Sequence, residues 1–562
     1  PTVSRGRASP RNQRVSTTSR PTRRKTRHSG AFYGTFCLVV LLFAVTVYSQ
    51  IDVQVFGRGK ILAHARSAWL SGRDTEVPPE RGTIYSSDGR ILAQSRPQYD
   101  FWVFYDRVPC TPGFFMSLAQ AAGVPEARIS APYLAGKKRV WLNPLDAAHY
   151  ALVSRVKSQW DAGGVSLEQQ TDRDYPMRDT AVGLVGWTHD GKPMSGAELA
   201  FDRNLSGKNG SLDKDVVLTV DSQLQNVATI AIRNAVEQNR AKSGAAVVMV
   251  PSTGEVLALA NWPTFDPAKG PQGGNEMATS YMEDLPPGST FKPLTLAKAL
   301  DLGVVDDSFH ITCTGSYSLG HGKPIQCDEH HGVRAHGSVN LDRAIAMSCN
   351  VAAAQWALAI GRDKMVSYLR QLNLLEKPGI GLPGAATPLF QMDEYDKQRQ
   401  LATLGFGQSI AVPPVSLAAA LCMIANDGEY VPPRVVTKVN GQRVPPTQPL
   451  RVVSPEAARQ VRGYMESVLD KPYGTGKTLA LQGYEIAGKT GTAQFLGPDG
   501  GNVSSFVGML PADHPKVLIL VMVDRPDAGE IYGSLVAGPA FDQIAVAAIN
   551  KLGIANTPSK EG

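Results

Sequence analysis

Residues Asp284 to Gly303 read DLPPGSTFKPLTLAKALDLG, and the fold is organised around this stretch. Pro286-Pro287-Gly288 breaks the chain, an almost wholly apolar run follows, and Gly303 stops it, which predicts a buried central helix. Ser289 stands at its first turn, near the positive helix end. The i, i+3 spacing brings Lys292 onto the same face. A lysine buried beside a second cation loses its proton near neutral pH and can serve as base for a serine hydroxyl. Alone, Ser-x-x-Lys is a weak signal that ordinary composition produces by chance.

Two downstream elements change its weight. Ser348-Cys349-Asn350 interrupts the helical pattern LDRAIAMSCNVAAAQWALAI (341–360), where adjacent polar residues would be costly in a packed interior without a task. Lys489-Thr490-Gly491-Thr492 lies on a predicted strand, YEIAGKTGTAQF (484–495), and Gly491 is expected to leave room for a ligand backbone. Around these, VVLTVDSQLQNVATIAIRNAVEQN (216–239) predicts a strand, an Asp221 cap and a helix. GAAVVMVPSTGEVLALANWP (244–263) predicts two strands, and SSFVGMLPA and KVLILVMVDRP two more before a closing helix, GPAFDQIAVAAINKLG (538–553). Two strands, a long helical middle and three strands predict an α+β domain over 213–555, an antiparallel sheet flanked by helices.

Upstream, RGTIYSSDGRILAQS (81–95) predicts a hairpin at Ser87-Asp88-Gly89, and 51–212 reads as an elongated, β-containing pedestal module of the dimerisation type without catalytic motifs. Gln50 to Leu70 predicts a helix. Ala31 to Ser49 is nineteen residues without a charge, enough to span roughly 30 Å of hydrocarbon. Residues 1–30 form a basic tail holding nine of the 57 Lys/Arg and no acid, so the rest carries 48 basic against 50 acidic residues. A basic tail on a balanced body argues against nucleic-acid binding. It predicts instead a single-pass anchor in the cytoplasmic membrane, with the tail inside and the catalytic domain outside. The 562 residues exceed one core, and six Cys are too few for a disulfide scaffold.

Ser-x-x-Lys, Ser-Asp-Asn and Lys-Thr-Gly are, in that order, the signature of penicillin-binding proteins and β-lactamases. All three occur here, with Cys349 in place of the Asp. The chain resembles a class B penicillin-binding protein from Ala31 onward, through the 81–95 hairpin, Arg173-Asp-Tyr175-Pro176, Gly196-Ala-Glu198, LGFGQSIAV (404–412), IANDGEYVPP (424–433) and YGSLVAGPAF (532–541). The resemblance implies a peptidoglycan D,D-transpeptidase that needs no cofactor for catalysis and is acylated by β-lactams. Ser289 would be acylated by the penultimate D-alanine of a stem peptide, with Lys292 as base, and Ser348 would relay a proton to the leaving amine. Asn350 would position Lys292 and the substrate amide. Lys489 would lower the Lys292 pKa and attract the terminal carboxylate, which Thr490 and Thr492 would bind; the N–H groups of Ser289 and Thr492 would form the oxyanion hole. Lys-Thr-Gly-Thr-Ala and YGTGKTLALQGYEIAG (473–488) look more like the septal than the elongation branch, with a membrane glycosyltransferase and other division proteins as partners. The competing readings are an elongation-type transpeptidase, a membrane-tethered serine β-lactamase, an antibiotic sensor and a catalytically dispensable division scaffold.

Cys313, Cys327, His336 and Cys349 follow a C-x13-C-x8-H-x12-C spacing, looser than a zinc ribbon. Two readings stay open here. One is a structural Zn²⁺ on three thiolates and an imidazole, bracing the loop of Ser348 and Asn350; the other is a Cys313–Cys327 disulfide with Cys349 a buried small residue. His321, His330 and His331 read as solvated loop residues.

Overall fold

Asp88-Gly89 turns the chain as expected. Gly89 has φ of 80°, and β1 (Ile84–Tyr85) pairs antiparallel with β2 (Ile91–Phe104). These features come from a computed structural model that describes residues 80–273, 277–320, 322–328, 334–390, 396–495 and 500–556. The basic tail, the apolar run 31–49, the expected helix from Gln50 to Leu70, the rest of the pedestal before Glu80, His321, His330 and His331 lie outside the described residues. Among the described residues, no helix is long and apolar enough to cross a membrane.

β2 is fourteen residues long and outruns β1, pairing from Gln94 onward with β4 (Val165–Asp174) and from Tyr99 onward with β3 (Arg139–Leu145). Phe101 and Val103, two apart on one face of β2, are buried against Phe114, Phe115, Leu118 and Val153, which gives this region a small core of its own. The upstream motifs Arg173-Asp-Tyr175-Pro176 and Gly196-Ala-Glu198 converge on one buried ionic cluster. Glu198 has no exposed surface and bridges Arg81 at 2.8 Å and Arg173 at 2.6 Å, while Arg81 also reaches Asp202 at 2.5 Å. A carboxylate at such depth is tolerated because two guanidinium groups satisfy it.

The strand expected to open the second domain, β5 (Val216–Leu218), instead joins this first sheet. It lies parallel to β1 and antiparallel to β8 (Val436–Val439), which arrives from far down the chain and pairs in turn with β9 (Gln442–Arg443). A boundary drawn at 212/213 therefore runs through one hydrogen-bonded sheet. Asp221 then caps α1 (Ser222–Gln238), accepting from the N–H groups of Gln223 and Leu224.

The second sheet matches the expected strands. Its order is β10 (Ala487–Gln494), β11 (Asn502–Leu510), β12 (Val517–Asp524), β6 (Ser243–Met249), β7 (Val256–Trp262), antiparallel throughout. Every residue of β12 is buried, although antiparallel strands commonly alternate, because helices cover both faces. α1 and α7 (Gly538–Leu552) lie on one side. On the other, α5 (Pro414–Ala425), all twelve of its residues buried, contacts β6 and β12, while α6 (Pro455–Asp470) lies over β10. α2 (Lys292–Asp301) packs among α5, α6 and α4 (Asn350–Ile360), as the apolar run predicts. One detail differs. The α-helix starts at Lys292, and Ser289 sits in the 3-10 turn Gly288–Phe291 before it, since Pro293 fits the first helical turn but contributes no N–H to an earlier one.

Candidate active site

The turn carrying Ser289 is wedged between glycines. A Cβ on Gly407 would lie 2.1 Å from the Gly288 carbonyl oxygen, and one on Gly288 2.7 Å from the Ala493 Cβ; the Gly288 N–H donates to the Gly407 carbonyl at 3.0 Å. Only Gly at both positions lets LGFGQSIAV back the nucleophile turn while that turn touches the edge strand β10. Ser348 is placed differently. It joins α3 (Leu341–Ala346) to α4 with φ of 57°, a left-handed conformation that is unfavourable by roughly 1–3 kcal/mol for a residue with a side chain. That twist turns both its hydroxyl and its carbonyl toward Lys292.

The result is a tight group. Lys292 Nζ lies 2.7 Å from Ser289 Oγ, 2.9 Å from Ser348 Oγ and 2.7 Å from the Ser348 carbonyl oxygen, and its side chain is fully buried. Burial pushes its pKa down to about 8, against the opposing pull of Asp328, Cys327 and Cys349. Lys489 is also fully buried, donating to the Thr490 carbonyl at 2.9 Å. Burial drives its pKa well below the usual range, and the Lys292 charge drives it further. Burial rather than Lys489 is thus the main force on Lys292, a change of emphasis from the expectation that Lys489 lowers it.

Asn350 donates to the Gln326 carbonyl at 2.9 Å and makes no hydrogen bond to Lys292, so it does not orient that lysine directly; its Oδ1 is buried without a partner among the described residues. Thr490 Oγ1 meets Thr475 Oγ1 at 2.7 Å, and Thr492 Oγ1 donates to the Ile531 carbonyl at 3.4 Å. Gly491 plays another part than expected. Its missing Cβ would point not at a ligand but at Ser505 Oγ, 2.3 Å away, and at the Thr290 methyl, 2.9 Å away. The glycine lets β10 close onto the nucleophile turn.

Ser289, Ser348, Thr490, Gly491 and Thr492 share a cleft of about 570 Å³ with residues that motif reading did not assign to the site, among them Asp328, Tyr473, Thr475, Lys477 and Tyr532. Thr475 was within reach of sequence reasoning, since GTGKT is a turn-forming cluster near the Lys-Thr-Gly strand. Its backbone N–H is tied to Ala346 at the end of α3 and its hydroxyl to Thr490, so it clamps two motifs together.

Cys313, Cys327, His336 and Cys349 converge behind Ser348. All four are buried, and their ligand atoms lie within 4.8 Å of one another. Cys313 Sγ stands 3.7 Å from Cys327 Sγ and 3.7 Å from His336 Nδ1, and Cys327 Sγ stands 3.8 Å from Cys349 Sγ. The Cys313–Cys327 disulfide is not formed: both thiols are free, and each has a further polar ligand-type neighbour competing for it.

Comparison with known proteins agrees with this geometry. Residues 244–545 match the family model described as the penicillin-binding protein transpeptidase domain, and 76–237 match the penicillin-binding protein dimerisation domain. The probable peptidoglycan D,D-transpeptidase PenA of Neisseria meningitidis is 30% identical over 525 residues, covering 86% of this chain and 87% of that protein. The peptidoglycan D,D-transpeptidase FtsI of Escherichia coli is 30% identical over 514 residues, 84% of each. Stage V sporulation protein D of Bacillus subtilis is 28% identical over 572 residues, 92% of this chain and 86% of its own.

The Gly491 packing is directly testable. Gly491→Ala should lower stability by about 1–3 kcal/mol through overpacking. Because Ser505 Oγ has no partner, adding Ser505→Ala should recover part of that loss; a melting temperature unchanged by the first substitution would disprove the close approach.

Proposed function

The chain belongs to the class B penicillin-binding proteins, as a serine D,D-transpeptidase acting on peptidoglycan and binding β-lactams, and we propose that it crosslinks stem peptides through a Ser289 acyl-enzyme during septal wall synthesis. The observation that carries the mechanism is the 2.7 Å approach of Lys292 Nζ to Ser289 Oγ in a site where burial favours the neutral amine.

Neutral Lys292 takes the Ser289 proton as Oγ bonds to the carbonyl carbon of the penultimate D-alanine. The peptide C–N bond then breaks, and the departing D-alanine nitrogen receives a proton through Ser348, whose hydroxyl lies 2.9 Å from Lys292. The N–H groups of Ser289 and Thr492 face the developing oxyanion, where preorganised donors act strongly. Lys489, Thr490 and Thr492 receive the terminal carboxylate, and the unpartnered Asn350 Oδ1 accepts from the substrate amide. An amine from a second stem peptide attacks the ester carbon, and Ser289 is restored. The Lys-Thr-Gly-Thr-Ala strand and the Tyr473–Gly488 stretch support the septal over the elongation branch.

The chain would act outside the cytoplasmic membrane, anchored through residues 31–49 and joined there by a glycosyltransferase and division proteins; the Lys/Arg asymmetry around that run supports this topology. The four-residue cluster behind Ser348 fits Zn²⁺. Tetrahedral coordination with Zn–S near 2.3 Å puts sulfur atoms about 3.8 Å apart, close to the separations found. Cys313, Cys327, His336 and Cys349 would hold the ion, which would brace the Ser348–Asn350 loop without entering the chemistry.

Four outcomes follow. Fluorescent penicillin should label the full chain at Ser289 and leave Ser289→Ala unlabelled. Since the base must be unprotonated, the acylation rate should rise about tenfold per pH unit up to about 8 and then level off; a flat profile from pH 6 to 9 excludes Lys292 as base. Protease added to spheroplasts should digest the chain beyond about Gln50, and full protection would overturn the topology. Elemental analysis of protein purified without chelator should find zinc at one ion per chain, with its removal exposing three titratable thiols and lowering the melting temperature. Protein that carries no zinc as purified, or whose thiols are already titratable before any metal is removed, would refute the zinc site.

A further inference from the structure

We infer that Asp328 is the specificity-determining residue for the acyl acceptor, presenting its carboxylate to the primary ammonium of the incoming stem peptide at the mouth of the Ser289 cleft. This rests on the transpeptidase reading above and says which side of the cleft receives the second substrate.

Three observations place the carboxylate there. Asp328 lines the same cleft as Ser289 and Ser348 and is, among the described residues, the sole acidic one lining it, while the basic lining side chain, Lys477, stands with Thr475 and Thr478. Its side chain is exposed and, among the described residues, makes no hydrogen bond or ion pair. Its charge nevertheless reaches both buried lysines, opposing the loss of their protons, which puts it close to the acylation centre.

The chemistry gives the two halves of the cleft opposite tasks. The donor peptide ends in a carboxylate and needs hydrogen-bond donors, which Lys489, Thr490 and Thr492 supply. The acceptor arrives as an ammonium. A carboxylate beside Ser348 raises the local concentration of that cation and disfavours entry of a donor carboxylate from the wrong end. Once bound, the ammonium gives one proton to water. The resulting amine nitrogen attacks the ester carbon, a C–N bond forms as the C–Oγ bond breaks, and the second amine proton passes through Lys292 to Ser289 Oγ. Water, uncharged, gains nothing from Asp328, so the same residue favours transfer over hydrolysis.

The test partitions one acyl-enzyme between two acceptors. The full chain is acylated with a thioester donor in the presence of a tripeptide bearing a single primary amine and of methanol, a neutral acceptor, and the ratio of amide to methyl ester is measured. In Asp328→Asn this ratio should fall about tenfold at low ionic strength, the size expected of local electrostatic enrichment, and the difference should shrink in high salt. Asp328→Glu should recover most of the ratio. A purely structural role would slow both acceptors alike and leave the ratio unmoved, which would overturn the inference, as would a shift confined to the pH profile of acylation. Wild-type protein that is not acylated at Ser289 would instead overturn the transpeptidase reading beneath it.

Discussion

A lysine without exposed surface must be neutral or paired, and Lys292 has no carboxylate within hydrogen-bonding distance among the described residues. Its three close neighbours are two hydroxyls and a carbonyl, none able to compensate a full charge. Most of the catalytic domain serves this constraint. α2 is apolar so that its first residue can be sealed, α5 is buried along its whole length to complete the seal, and Ser348 takes a left-handed backbone so that the only polar groups reaching the amine are useful ones.

The glycines set the second requirement, which is closeness. Gly288, Gly407 and Gly491 each lie where a single methyl group would collide with backbone, with the Ala493 Cβ or with Ser505, so the nucleophile turn, its backing loop and the edge strand meet closely. Side chains at these positions would hold the three motifs apart by the width of a carbon atom, and the serine, lysine and oxyanion donors would lose register together.

Much of this was legible in the sequence because it is local. The five strands of the catalytic sheet, the Asp221 cap, the hairpin at Gly89 and the three motifs each depend on residues within a few positions of one another. What escaped depends on long-range pairing. Val216–Leu218 has the pattern of any short buried strand, and nothing nearby says that its partners are Ile84–Tyr85 and Val436–Val439. The role of Gly491 was misassigned for the same reason, since the atom occupying its Cβ direction belongs to the neighbouring strand. Asp328 and Thr475 lie in loops whose approach to Ser289 is decided by tertiary packing. The Cys and His residues were recognisable as a set, but that all four side chains meet at one point is decided by tertiary packing.

The sheet that crosses the 212/213 boundary has a practical side. β5 is held between β1 from the pedestal and β8 from within the catalytic stretch. A polypeptide started at residue 213 would keep β5 and β8 but strip one whole edge of β5 of its hydrogen-bonding partner, leaving a row of bare peptide groups open to annealing with another copy. The pedestal thus shields the opening strand of the catalytic domain, and truncation between the two would leave an edge prone to self-association.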